Sequence, residues 1–375
     1  MKDYKTLIAE LTGYASAPAK TMEAAAAASG RELFGCFPIH VPEELVYAAG
    51  YLPIGMWGGK TEIKLADKYL QGFCCTIMKA NMEFGLNGTY RNLKGVIIPA
   101  FCDTLKCILE NWKYAVPQIP MIPIVYPQNR KIEGGIQFLL TEFNHVKEEL
   151  EKICGHEITE ESIEAAFAIY ENYRAAMRDF AEIASDYPIT LDAKTRHLIM
   201  KAAWFMDKKE YTEAIRSITA QLKEQPAENH KGIKLIATGL ISEPVELMEI
   251  FAENGIAIAA DDLSHQSRVF RTPARETGTA LEKMAYRIAD QRGDTFLYDP
   301  LKEKGQMLID MVKAKKADGV TVLMMKFCDP EEFEYPIIKE ELEAAGIPIL
   351  YLEVDQQIES YEQLRTRVQS FAEML

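Results

Sequence analysis

The sequence predicts an α/β protein of two similar doubly wound lobes, each with a parallel sheet of about four strands, plus a helical insert. Three observations lead there. Apolar runs of strand length alternate with helical stretches, the pattern of βαβ units around parallel strands. The order of those runs near the N-terminus returns near the C-terminus. Two of the runs also close on the same phrase: Gly95-Val96-Ile97-Ile98-Pro99-Ala100-Phe101-Cys102-Asp103 and Gly319-Val320-Thr321-Val322-Leu323-Met324-Met325-Lys326-Phe327-Cys328-Asp329. The expected boundaries are 1–130 for the first lobe, 131–230 for the helical segment and 231–375 for the second lobe.

Taken in order, the apolar stretch Leu33–Ile39 leads to Pro42-Glu43-Glu44-Leu45, a short helix, Gly50 and a second strand, Leu52–Trp57. Proline suits a first helical turn, where its missing N–H would be unbonded anyway, and glycine suits a left-handed helix cap. The first Phe-Cys-Asp strand follows, then Ile119–Val125. The insert opens with helical periodicity over Ile136–Cys154, stopping at Gly155. Thr159 reads as the N-cap of a second helix, whose stripe is Ile163, Ala166, Phe167, Tyr170, Tyr173, Met177 and Phe180. That aromatic stripe reads as core. Asp186-Tyr187-Pro188 breaks the helix, and a third helical region runs from about Leu191 to Glu224. The second lobe repeats the first: Ile233–Leu240, Pro244-Val245-Glu246-Leu247, Gly255, Ile256–Ala260, the second Phe-Cys-Asp strand and Ile347–Leu352.

With 48% hydrophobic and 26% charged residues in 375, the composition is that of an ordinary globular protein. A net charge of −14 argues against nucleic acid and against anionic membrane surfaces as partners. No apolar run reaches the ~18 residues of a membrane span. The start, Met1-Lys2-Asp3-Tyr4-Lys5-Thr6, lacks the apolar core of a signal peptide, so a cytoplasmic location is expected.

Seven cysteines, an odd number, do not form a disulfide framework in such a chain. Cys102 and Cys328 fall at the C-terminal ends of equivalent strands, the edge where open α/β sheets build binding sites. Facing lobes would bring both sulfurs to one cleft. Cys74-Cys75, at the start of a helix, offers a third thiolate; adjacent cysteines do not easily reach one ion together, so one of the pair is a bystander. Thiolates select zinc, copper(I) or iron–sulfur clusters. Zinc sites usually show CxxC knuckles, and this chain has none. Three dispersed cysteines fit a 4Fe–4S cluster with three protein ligands.

The phrases GCFPIHVPEELVYAAGYLPIGMWGG, FCCTIMKANMEFG, GVIIPAFCDTLK and GVTVLMMKFCDP together closely resemble the 2-hydroxyacyl-CoA dehydratase family, which is related to benzoyl-CoA reductase subunits. The resemblance covers nearly the whole chain. It implies a 4Fe–4S cluster held by Cys75, Cys102 and Cys328. Cys75 is preferred to Cys74 because Cys75-Thr76-Ile77-Met78-Lys79 is similar to the family's Cys-Ser-apolar-apolar-Lys/Arg pattern. The resemblance further implies a hydro-lyase heterodimer with a homologous α subunit that binds the acyl-CoA. An ATP-dependent iron–sulfur activator supplies one electron to a ketyl-radical mechanism, and clusters relay it. The expected reaction is 2-hydroxyisocaproyl-CoA to 2-enoyl-CoA plus water, in leucine fermentation. This chain is shorter than typical α subunits, which favours the β role, with no catalytic residue assigned to it. A benzoyl-CoA reductase-type subunit, or a non-catalytic two-lobed scaffold whose cysteines merely pack, are the competing readings.

Expectations for the remaining polar residues are mostly structural. Glu43 and Glu44 suit a helix start, where the macrodipole favours carboxylates. Asp103 and Asp329 are expected to cap the helices after their strands. Cys36 and His40 should line the cleft, Cys107 should pack, and Cys154 should be inert. His197 reads as an ordinary helix residue. Asp261, Asp262 and His265 only superficially resemble a hard-metal group.

Overall fold

Eight strands form two separate four-stranded sheets in the computed structural model, which describes residues 2–375. The first sheet contains β1 (Leu33–Cys36), β2 (Leu52–Gly55), β3 (Leu93–Pro99) and β4 (Met121–Ile124). The second contains β5 (Ile233–Gly239), β6 (Ile256–Leu263), β7 (Gly319–Met325) and β8 (Ile349–Val354). Their orders are β2-β1-β3-β4 and β6-β5-β7-β8, and every pairing is parallel. The two lobes therefore share one topology, as the repeat in the sequence predicts. In each sheet the order reverses direction between its first and third strands, and the crevice at that switch point is where such folds bind ligands.

Burial follows strand position. Every residue of β7 is buried, as is β3 from Gly95 onward, because helices cover both faces of a central parallel strand. Of the four edge strands, β4 and β8 alternate buried with half-buried or exposed residues, whereas β2 and β6 are covered along nearly their whole length. Gly239 ends β5 at φ 137° against Leu323 of β7, where an added Cβ would collide with the Leu323 carbonyl. One apolar core joins the sheets, running from Leu33, Phe37 and Ile54 to Leu235, Leu323 and Leu352.

The helical insert forms largely as its periodicity predicts. Glu133–Cys154 ends at Gly155 with φ 75°, and Glu160–Ala184 begins at Thr159, whose hydroxyl accepts the Ser162 N–H at 3.2 Å. All seven stripe residues of the second helix are buried. The third helical region is instead two helices, Ala193–Ala202 and Lys208–Lys223. Between them Trp204 reaches β2, where its carbonyl accepts the Gly55 N–H at 2.9 Å and its ring lies on the Gly55 Cα. Asp207 then caps the new helix by accepting the Lys209 N–H.

Two N-terminal helices, Tyr4–Ser16 and Pro18–Ser29, give no clear signal in the sequence. The first buries Leu11 and Ala15 in the core of the insert. Another helix, Ala280–Ala289 between β6 and β7, starts with a reciprocal capping box built by Thr279 and Glu282. It packs Met284, Ala285 and Ile288 with Leu139, Phe143 and Ile163. Among the described residues no helix is long and apolar enough to cross a membrane.

Candidate functional site

Cys75, Cys102 and Cys328 each occupy the N-cap of a helix: Thr76–Leu86, Asp103–Ala115 and Asp329–Ala344. The positive end of a helix and its unbonded N–H groups favour a thiolate there. None of the three side chains makes a capping hydrogen bond; the nearby N–H groups of Met78 at Cys75, Thr104 and Leu105 at Cys102, and Glu331 at Cys328 favour the charged sulfur. The expected caps Asp103 and Asp329 are displaced by one residue. They are the first helical residues, both are exposed, and neither makes a capping bond.

All three cysteines line one cavity of about 500 Å³, counting its open mouth. Its other walls are mostly apolar: Pro38, Ile39, Trp57, Leu105, Phe296 and Phe327 are among them. No lysine, arginine or histidine lines it among the described residues. Burial pushes the Cys75 thiol up to about 12, raises Cys102, and lifts Cys328 well above the usual thiol range. Cys102 also raises Cys75, Cys75 and Cys102 raise Cys328, and Asp103, Asp329 and Glu331 add to the effect on one or another of the three. Nothing cationic on the described walls offsets this, so the set is suited to thiolate only when a bound cationic centre supplies the charge.

That donor set fits a cluster better than a single ion. Among the described residues no three His, Cys, Asp or Glu side chains converge tightly enough to hold one ion. A cubane presents a different iron to each thiolate, so its cysteines stand apart around a shared space. Phe327, directly before Cys328, holds a left-handed φ of 63°. For a bulky residue this costs on the order of 1–3 kcal/mol and is found where a site dictates the backbone.

Comparison with known proteins matches the same chain. The model of the family described as 2-hydroxyglutaryl-CoA dehydratase, D-component, matches residues 38–375. The (R)-phenyllactyl-CoA dehydratase beta subunit of Clostridium sporogenes is 44% identical over 92% of both chains. The lactoyl-CoA dehydratase subunit beta of Anaerotignum propionicum is 42% identical over 100% of both. The (R)-2-hydroxyglutaryl-CoA dehydratase subunit beta of Acidaminococcus fermentans is 40% identical, covering 96% of this chain and 97% of that one.

This chain belongs to the 2-hydroxyacyl-CoA dehydratase family. It is a hydro-lyase subunit.

The remaining cysteines of this dehydratase subunit lie elsewhere. Cys74 is buried in the core, its sulfur 3.9 Å from Gln71 Oε1, and is not on the cavity wall. Cys107 is exposed, so it does not pack as expected, and Cys154 ends its helix half-buried. Cys36, at the end of β1, lines a second cavity of about 640 Å³ with its opening. The loop Phe37–His40 is the partition: Pro38 and Ile39 face the three cysteines, while Phe37, Ile39 and His40 face the second cavity.

The second cavity is as polar as the first is apolar. Glu43 and Glu44 do start a helix, but buried polar partners govern them. Arg174 Nη1 lies 2.7 Å from Glu44, while Glu43 accepts the Tyr170 hydroxyl at 3.0 Å and sits 3.3 Å from Lys208 Nζ. His40 Nε2 is 2.9 Å from the Asp294 carboxylate. Burial, followed by Glu43, lifts the Cys36 thiol well above its usual range. Asp261 and Asp262 are arginine partners: Arg196 holds the first at 2.7 Å, and Arg268 and Arg271 hold the second. His197 and His265 are both buried, and burial lowers both. Sequence reasoning missed Arg174, Lys208, Arg287 and Asp294, which come from three distant helices and a loop and share no spacing.

Proposed function

We propose that this chain is the β subunit of an (R)-2-hydroxyacyl-CoA dehydratase, holding a 4Fe–4S cluster through Cys75, Cys102 and Cys328. The cluster would store and pass on one electron, from an ATP-dependent activator to the α subunit that binds the acyl-CoA. One observation carries this reading: helix-capping cysteines from both lobes share an apolar cavity with no histidine, lysine or arginine among its described walls. Such a cavity suits electron storage, and Asp329 is the one carboxylate on its described walls.

The protein's own residues supply three things. The helix N-termini place their positive ends beside the three cysteines, favouring a negative charge there. Trp57, Leu105, Phe296 and Phe327 limit water around them. The Phe37–His40 loop separates the cysteines from the charged cavity behind.

Relatives of 40–44% identity carry names with phenyllactyl, lactoyl and hydroxyglutaryl groups. Acyl groups so different in size and charge are compatible with one β scaffold if the acyl group is read by the α subunit. For this protein we assign 2-hydroxyisocaproyl-CoA on sequence resemblance.

Anaerobic purification with iron and sulfide analysis tests the cluster. About four iron atoms per chain are expected. An iron-free, colourless chain from anaerobic cells would overturn it. Turnover of 2-hydroxyisocaproyl-CoA with α subunit and activator tests the substrate.

A further inference from the structure

The wall of the second cavity carries two buried guanidinium N–H groups with no hydrogen-bond partner among the described residues. It also carries the carboxylates Glu43, Glu44 and Asp294: Lys208 and Arg174 pair with the first two, and Asp294 Oδ2 lies 2.9 Å from His40 Nε2. Arg268 on the same wall is held from behind by Asp262 and Glu331. Among the described residues, Arg287 alone of the wall's lysines and arginines has no ion pair. Its one hydrogen bond there goes from Nη1 to the Val269 carbonyl at 3.2 Å, and its buried Nε has no partner.

The nearest carboxylates are already engaged. Arg174 takes Glu44 through Nη1 and Glu171 through Nε at 2.5 Å. Yet the remaining Arg174 nitrogen, Nη2, is also buried and without a partner, in a side chain only 2% exposed. Two guanidinium groups from different helices therefore bring unbonded N–H donors to one cavity. Burial and the adjacent Arg174 pull Arg287 down to about 10, which leaves it protonated at neutral pH. Glu44 and Glu171 act on Arg287 at longer range without bonding to it; buried N–H donors left without a hydrogen bond are costly, and guanidinium groups are matched to planar or tetrahedral oxyanions.

We propose that this cavity binds a small oxyanion, with Arg287 as its principal partner and Arg174 Nη2 as a second donor. The cavity's size admits an anion of a few heavy atoms, such as a carboxylate, bicarbonate or phosphate. The Phe37–His40 loop would then be ordered from both sides, by the cysteine site and by the anion.

The test uses the anaerobically purified heterodimer in a chloride buffer of fixed ionic strength. Acetate, bicarbonate and phosphate are titrated separately, read by melting temperature and by calorimetric binding. A saturable rise of about 1–3 °C with at least one probe is expected. Response to acetate or bicarbonate alone assigns a planar anion; response to phosphate alone assigns a tetrahedral one. Arg287→Leu and Arg287→Gln should each abolish the response while leaving iron content unchanged, and Arg287→Lys should retain a weaker one. Absence of saturable binding in the unmutated protein, or binding undiminished in both neutral variants, would overturn the site. Because the readout does not need iron, loss of the cluster reading and loss of this one are separate results.

Discussion

The Gln356 backbone N–H donates to the Thr76 hydroxyl at 3.3 Å, joining the loop after β8 in the second lobe to the helix that starts beside Cys75 in the first. The same hydroxyl lies 3.6 Å from the Met325 sulfur at the end of β7. The Gln356 side chain donates to the Trp57 carbonyl at 2.9 Å and to Glu243 at 2.7 Å, and accepts the Gly59 N–H at 3.1 Å. A first-lobe cysteine is thereby fixed relative to Cys328, which follows Met325 closely at the end of the same strand.

Gln356→Leu keeps the volume and removes these side-chain bonds, leaving a buried carbonyl and a buried carboxylate short of a donor. A loss of about 1–3 kcal/mol is expected, measured by denaturant unfolding of the purified subunit pair. Iron content is measured in the same samples, since the lost side-chain bond to the Trp57 carbonyl ties a wall residue of the cysteine cavity to the second lobe. Unchanged stability would show that the lobes are held without it.

Serine in place of Cys75, Cys102 or Cys328 should each sharply reduce iron per chain, whereas Cys74→Ser, Cys107→Ser and Cys154→Ser should not. Metal analysis of the anaerobically purified variants decides between the two groups. Equal loss from Cys74→Ser and Cys75→Ser would mean that the cavity wall does not identify the ligand.

Glu44 and Arg174 form a buried pair, both 2% exposed. Burial alone would raise Glu44, but Arg174 and then Arg287 reverse the shift and hold it low. Glu44→Gln removes one of the two carboxylates on Arg174, with Glu171 keeping the other, and should cost about 1–3 kcal/mol. The double variant Glu44→Gln with Arg174→Met should recover part of that loss in the same unfolding assay.

Asp294 gives an acid dependence with a definite sign. Burial opposes its charge, yet His40, Arg268 and the Phe296 N–H hold its folded pKa well below the ordinary 3.8. A depressed carboxylate stabilises the fold fully above its unfolded pKa and loses that contribution as pH falls toward the folded value. Melting temperature should therefore decline below about pH 4. Asp294→Asn should be less stable at pH 7, with the gap to the parent protein narrowing as the pH drops. A gap independent of pH would remove Asp294 from the account.

Much of this was legible in the chain. The strands β3 and β7 are continuous apolar runs because both faces of a central parallel strand are covered, and such runs stand out in a sequence. Gly155 and Thr159 mark helix ends because a left-handed backbone and an unbonded N–H demand particular residue types. The N-terminal helix Tyr4–Ser16 was not legible, since its partners lie far along the chain in the insert. The break at Trp204 was equally hidden, because it answers to a hydrogen bond from Gly55.

By itself, then, the sequence determined the two-lobed α/β plan, its internal repeat and the cysteines at the ends of matching strands, since local periodicity and helix-end chemistry are written residue by residue. Only the tertiary structure decided that Cys75 shares a cavity with Cys102 and Cys328 while Cys74 turns into the core. It alone decided that Arg174 and Arg287 line one second cavity. Side-chain direction and charge compensation depend on neighbours that are distant in the chain, and no spacing along it records them.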